Sequence, residues 1–233
     1  MKLTLKCMLV LLAIMGMTIS AASENTEALV FGGTGRLGAP IVRLLIDAGY
    51  PVTVFARSTS DRSRLAGLKV TFIIGDLMDA DSVEQAVHGK HFRFVIDATS
   101  RGSSRNSFYA KAMQNILHAV TASQVHQFIL HGSVGAGDNM QNFPDFGFER
   151  MRDLMEAKGR AESLLKSSGL DYTIIRNGMV QRDGTPATGT ARLTEDDRVI
   201  GSVTRLDLAA LTLQCLDQKK CMNKIFHAVD DSI

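Results

Sequence analysis

An excess of charge of either sign is almost missing from this chain of 233 residues, whose formal net charge is +2. Lys2 and Lys6 account for the surplus; without them, basic and acidic residues are equal in number. No polybasic block offers a surface that would track phosphates along a nucleic acid, so that class of partner is excluded. Metal-ligand spacing is missing too: there is no Cys-x-x-Cys, and the six histidines show no His-x-x-x-His, so no metal centre is expected. Internal repeats and linkers are also lacking. A single domain is the economical organisation, and a hydrophobic content of 45% is enough for its core.

The first 22 residues stand apart. Lys2 and Lys6 form a basic start, Met8 to Ile19 is apolar apart from Gly16 and Thr18, and Ser20-Ala21-Ala22 supplies small residues at a cleavage position. This pattern predicts a secretory signal over residues 1–22, with residues 23–233 as an exported (periplasmic or secreted) mature domain. The apolar run is short for a membrane span. An uncleaved membrane anchor, or a cytoplasmic product started at Met17, stays open. There is no twin-arginine pair for export in a folded, loaded state. Cys7 would leave with the leader, so Cys215 and Cys221 either pair in an oxidising compartment or stay as small buried hydrophobes.

What the sequence does have is a glycine turn. Gly32-Gly33-Thr34-Gly35-Arg36-Leu37-Gly38 follows the apolar run Ala28-Leu29-Val30-Phe31 and leads into Ile41, Leu44, Leu45 and Ala48 at helical spacing. Pro40 sits in the first turn, and Gly49 ends the helix before the run Val52–Phe55. Glycines at 32, 35 and 38 permit a tight turn, a close approach of pyrophosphate to backbone amides, and close packing of helix on strand. The helix N-terminus adds partial positive charge. Strand, turn, helix and second strand in this order read as a dinucleotide site, with Gly32, Thr34, Gly35, Arg36, Leu37 and Gly38 as its grip.

Apolar β-type runs recur at 28–31, 52–56, 70–74, 93–98, 127–131, 172–176 and 225–229, and helical patterns fall at 36–48, 79–88, 106–122, 149–168 and 206–217. Strands alternating with helices predict a doubly wound, mostly parallel α/β sheet of Rossmann type. Near-continuous apolar strands fit a sheet covered on both faces. Segments 57–68, 132–148 and 177–205 follow strand ends, where ligands bind in such sheets, and are expected to wall the site.

The second run ends Val54-Phe55-Ala56-Arg57-Ser58, with no acid to hold a ribose 2′-hydroxyl. Arg57, followed by Arg62 and Arg64, favours a 2′-phosphate and hence NADP(H), with NAD(H) as second choice. In Gly75-Asp76-Leu77, Asp76 either accepts from an adenine amino group or satisfies turn backbone. Asp97-Ala98-Thr99-Ser100 closes the fourth run, where Ala98 and Thr99 let backbone approach the ribose or serve as ordinary turn residues.

Together with Lys158-Gly159-Arg160-Ala161-Glu162, Ser168-Gly169-Leu170-Asp171-Tyr172-Thr173-Ile174-Ile175-Arg176 and Thr204-Arg205-Leu206-Asp207-Leu208-Ala209, these motifs resemble the short-chain dehydrogenase/reductase superfamily, in its atypical branch of NmrA-like, NAD(P)H-binding proteins. The resemblance covers residues 27–230. It implies that Lys158 contacts the nicotinamide ribose and that Ser133 occupies the family's serine position. In typical members a tyrosine four residues before the lysine donates the proton; here that position is Leu154, and none of Tyr50, Tyr109 and Tyr172 has a lysine four residues on. Asn177 stands where the family carries proline after arginine, as a turn residue or as a donor to a carboxamide or substrate.

Hydride transfer survives the loss of the tyrosine, because the cofactor performs it. Acceptors that need no strong enzymic acid then fit: a small conjugated molecule such as a quinone, a flavin or a tetrapyrrole. Met140, Phe143, Phe146 and Phe148 either wall a planar apolar ligand or pack as core or lid. His131 and Ser133 share a strand face and flank the expected reaction centre, His131 as a relay or as a satisfied structural histidine, Ser133 as a polar contact to substrate. The alternative to a reductase is a nucleotide-binding sensor or assembly factor without turnover, working through a protein partner.

Overall fold

A computed structural model describes residues 27–100, 107–120 and 125–233; the expected leader lies outside them. Seven strands fall on the seven apolar runs: β1 (Ala28–Phe31), β2 (Val52–Ala56), β3 (Thr71–Ile74), β4 (Phe94–Asp97), β5 (Gln127–Ser133), β6 (Tyr172–Asn177) and, late in the chain, Lys224–Val229. Between them run α1 (Gly38–Asp47), α2 (Ala80–Val87), α3 (Ser107–Val120), α4 (Arg152–Lys166) and α5 (Arg205–Cys215). Three short strands lie in the segment after β6: β7 (Met179–Val180), β8 (Arg192–Thr194) and β9 (Ser202–Val203), so the late strand is β10.

The main sheet has the order β3-β2-β1-β4-β5-β6-β10-β8, and β7 pairs with β9 in a separate ribbon. Every pairing in the main sheet is parallel except that of β8 with β10. The order reverses direction at β1, whose neighbours are β2 and β4. That places a crevice beyond the carboxyl end of β1, directly after which the glycine turn begins.

The strands are apolar on both faces because both are covered. Leu29 and Phe31 pack with side chains of α2, α3 and α4, whereas Ala28 and Val30 pack with those of α1 and α5. The same alternation holds in β5, with Phe128 and Leu130 on one face and Ile129 on the other. Residues 137–151 fold into three successive 3₁₀ turns. Phe143 and Phe148 from these turns form a satellite cluster with Val134 and Met155, against which Leu154 and Met140 pack. Cys215 and Cys221 are joined in a disulfide, with Cα atoms 5.5 Å apart, beside Phe226.

Candidate functional site

At the switch point lies a cavity of about 580 Å³, within the range of small-molecule sites. Its floor at one end is the glycine turn. Gly32 has φ +74°, and a Cβ there would lie 2.7 Å from the Ala98 carbonyl oxygen, so only glycine lets the turn pass the end of β4. A Cβ on Gly38 would stand 2.1 Å from Gly32 O, which makes this glycine the packing contact of α1 rather than part of the cavity lining. The start of α1 has no side-chain cap and no acidic residue in its first turn. Its amide dipoles are therefore left to whatever anion enters.

Gly32, Thr34, Gly35, Arg36, Leu37, Arg57, Asp76, Leu77, Ala98, Thr99, Ser133 and Lys158 all line this one cavity. Of the expected site residues, Gly38 alone does not. The basic loop after β2 divides: Arg57 lines the cavity, the Arg62 guanidinium stacks 4.9 Å from the Phe72 ring centroid, and Arg64 faces Asp183 at 3.6 Å. Arg36 meets the same Asp183 carboxylate at 3.6 Å, so the segment after β6 bridges the glycine turn and the basic loop. Asp76 Oδ1 accepts from the Met78 amide at 3.0 Å, which gives this oxygen the turn role.

At the other end, Lys158 on α4 donates from Nζ to Ser133 Oγ at the end of β5, over 2.6 Å. The ammonium also stands 5.2 Å from the centroid of the Tyr109 ring. Burial pulls the Lys158 amine below the ordinary lysine range, opposed by the charges of Glu162 and Asp97. Asp97 is pushed up by its own burial, against the pull of the Thr99 amide and of Lys158; its Oδ1 accepts from Thr99 N at 2.9 Å. Behind the site, Glu162 takes a two-toothed contact from buried Arg176, at 3.1 and 2.7 Å. Burial raises the Glu162 carboxyl and the Arg176 guanidinium opposes it.

Of the two roles open to His131, the structure supports the satisfied structural histidine. Ser133 turns to Lys158 of α4, whereas the His131 ring lies between Thr212 of α5 and Asn177. With both ring nitrogens engaged and burial pushing its pKa down to about 4, His131 is a neutral structural residue. The expected wall from 132–148 is corrected: past Ser133 this segment does not line the cavity, because Phe143 and Phe148 bury one another in the satellite cluster and the Phe146 ring lies tilted against Phe148. The loop after β6 does contribute, through Asn177, Gly178 and Val180, followed by Arg205 at the start of α5. Leu154, at the family's tyrosine position, fills the seam between the main core and the satellite cluster.

The family model described as NAD(P)H-binding matches residues 32–219. Photosystem II assembly factor Ycf39 of Cyanophora paradoxa is 30% identical over 212 residues, or 86% of this chain. The chain spans 62% of that relative's length. Among solved structures, ChuY, an anaerobillin reductase from Escherichia coli O157:H7, superposes with a TM-score of 0.78 at 24% identity, covering 89% of this chain and 98% of its own. A putative NADH-flavin reductase from Streptococcus pneumoniae TIGR4 gives 0.71 at 19% identity, covering 88% of this chain and all of the other. At these identities both share the fold.

Proposed function

Because the chain belongs to the NAD(P)H-binding family, and because a half-buried lysine backs a serine hydroxyl inside its cavity, we propose that it is an NADPH-dependent reductase of a small conjugated acceptor. The residues present fit the cofactor. The glycine turn is a cradle that a Cβ at Gly32 would block, and the uncapped start of α1 suits a pyrophosphate. Arg36 and Arg57 line the same cavity with Ser60, a donor set that suits a 2′-phosphate better than a free hydroxyl. Lys158 and Ser133 would stand at the nicotinamide end. The cofactor, when bound, supplies the hydride.

The Lys158–Ser133 contact carries the reading. Lys158 Nζ is the donor, so Ser133 Oγ accepts and its own hydrogen is left for a group in the cavity. Ser133 thus presents an O–H to the acceptor, and Lys158 holds the charge behind it. This is weaker acid catalysis than a tyrosine would give, and it suits acceptors whose reduced form is stabilised by delocalisation. The name of ChuY as an anaerobillin reductase and that of the pneumococcal neighbour as an NADH-flavin reductase support this class.

A second reading has its own observation: Leu154 is packed into an apolar seam where typical family enzymes place their acid. With the assembly-factor relative, this supports a nucleotide-loaded protein that acts through a partner and does not turn over. Export of residues 23–233 is part of the proposal, supported by the leader pattern and by the Cys215–Cys221 disulfide. It also works against turnover, because NADPH is scarce outside a reducing compartment.

Titrating residues 23–233 with NADPH and NADH by calorimetry, then adding quinones and flavins while following nicotinamide absorbance, decides between the readings. Tight NADPH binding with oxidation is expected. Binding without oxidation would move the protein to the partner-directed reading, and an absence of binding would overturn both. Sequencing the mature N-terminus tests export, and an intact Met1 in soluble cytosol would refute it.

A further inference from the structure

The polarity of one buried hydrogen-bond chain fixes which edge of Asn177 faces the cavity. Thr212 Oγ1 lies 2.7 Å from the carbonyl oxygen of Leu208, one turn earlier in α5. Two oxygens at that distance need a hydrogen between them, and the threonine hydroxyl has only one to give. Thr212 Oγ1 can therefore only accept from His131 Nε2, 2.9 Å away. A neutral imidazole carrying its proton on Nε2 has a lone pair on Nδ1.

Nδ1 meets the Asn177 side-chain amide at 3.3 Å, through the atom in the Oδ1 position. The two ends of an amide are distinguished by their partners. A lone pair on Nδ1 requires the nitrogen on that side, which turns the carbonyl oxygen outward. Asn177 lines the cavity, and its backbone pairs with Ser133, the serine held by Lys158.

We infer that Asn177 is a specificity-determining residue, whose carbonyl oxygen accepts a hydrogen bond from the carboxamide N–H of a bound nicotinamide, and that Thr212, acting through His131, is the positioning residue that sets this polarity. The inference rests on the NADP(H) reading and deepens it. The turn role that an Arg-Asn-Gly sequence suggests does not require the side chain to be held from behind. Here it is held, by a ring that is itself anchored to a helix.

The test is binding of NADP⁺ and of its 3-acetylpyridine analogue, in which a methyl group replaces the carboxamide nitrogen, measured by calorimetry. The wild-type protein is expected to favour NADP⁺ about tenfold, the scale of one net hydrogen bond. Asn177→Ala should erase that preference. Asn177→Asp, which keeps an oxygen toward the cavity whichever way it turns, should restore it. Thr212→Val, at a residue outside the cavity lining, should also erase it by releasing the His131 tautomer. A preference that survives Asn177→Ala or Thr212→Val would overturn the inference even though NADP⁺ binds. Failure of the wild-type protein to bind NADP⁺ would instead overturn the cofactor reading on which it stands.

Discussion

Replacing His131 with glutamine should remove a defined part of the acid sensitivity of this protein. Burial pushes the imidazole from its ordinary 6.5 down to about 4. Between those values the unfolded chain takes up a proton that the native chain refuses, so the contribution of this group to stability is full above pH 6.5 and is lost as the pH falls toward 4. At 1.36 kcal/mol per pH unit of difference, the loss from this one group is about 2 kcal/mol at pH 5 and about 3 kcal/mol at pH 4. Asp97 and Glu162, raised by burial, act in the opposite sense over part of this range, so wild-type stability alone does not isolate the histidine. The informative quantity is the difference between wild type and His131→Gln in urea denaturation at pH 7, 6, 5 and 4. Glutamine forfeits part of the packing at every pH, which offsets the two curves by a constant. The offset should shrink by about 2 kcal/mol between pH 7 and 5. A difference that stays level across the series would show that the ring is not held neutral and would remove the tautomer argument for Asn177.

Further outcomes are expected at four other residues. Gly35→Asp should abolish NADP(H) binding in calorimetry, by putting bulk and negative charge against the pyrophosphate at the start of α1; unchanged affinity would sink the assigned turn. Arg57→Ala should weaken NADPH about tenfold or more while leaving NADH within about twofold, the scale of one charge-assisted hydrogen bond, and equal losses would remove the 2′-phosphate assignment. Lys158→Met should raise thermal stability, because an amine whose pKa burial lowers costs folding energy while it is charged, and should lower NADP(H) affinity. In the wild-type protein the same shift should make acceptor reduction decline with alkali below the ordinary lysine range. Arg176→Met should destabilise by about 3–5 kcal/mol in urea, because Glu162 would be left buried without its partner; Arg176→Met with Glu162→Leu should recover most of that loss.

Much of this fold was legible because its strands are long enough and apolar enough to leave a run in the sequence. All seven runs became strands of the main sheet, and the five helical patterns became α1 to α5. The three strands that gave no signal have two or three residues each, such as Met179–Val180, too short to show periodicity of either kind. In 132–148, the aromatic residues left a ligand wall and core or lid packing both open, because composition does not say which way a ring points; Phe143 and Phe148 took the packing role, with each other and Val134. Most residues lining the cavity were readable because a turn at a strand end is a local motif. His131 was placed at the site with a structural role among its alternatives, but its partners were not readable: Asn177 and Thr212 lie 46 and 81 residues away, and only topology brings β5, β6 and α5 together. The bridging Asp183, which faces Arg36 and Arg64 from a loop that pairs with neither, left no sequence signal for the same reason.

The choice between a reductase and a partner-directed protein turns on what the buried charges are for. Leu154 shows how this chain treats a position it does not need for proton transfer: it fills the place with an apolar side chain that joins two cores. Lys158 lies one turn further along the same helix and is treated otherwise. Its ammonium is half-buried at the cavity wall over the Tyr109 ring, and its hydrogen-bond partner is a neutral hydroxyl, with Asp97 and Glu162 acting through their fields. Drawing a charge partly out of water costs folding energy, which is the sense in which the Lys158 amine is shifted, and a leucine or methionine would pack there without that cost. A helix with leucine at 154 and lysine at 158 is what the proposed reductase requires, an amine held for a group that enters the cavity. Ser133, whose hydrogen that amine leaves free, is the atom through which the group would be met.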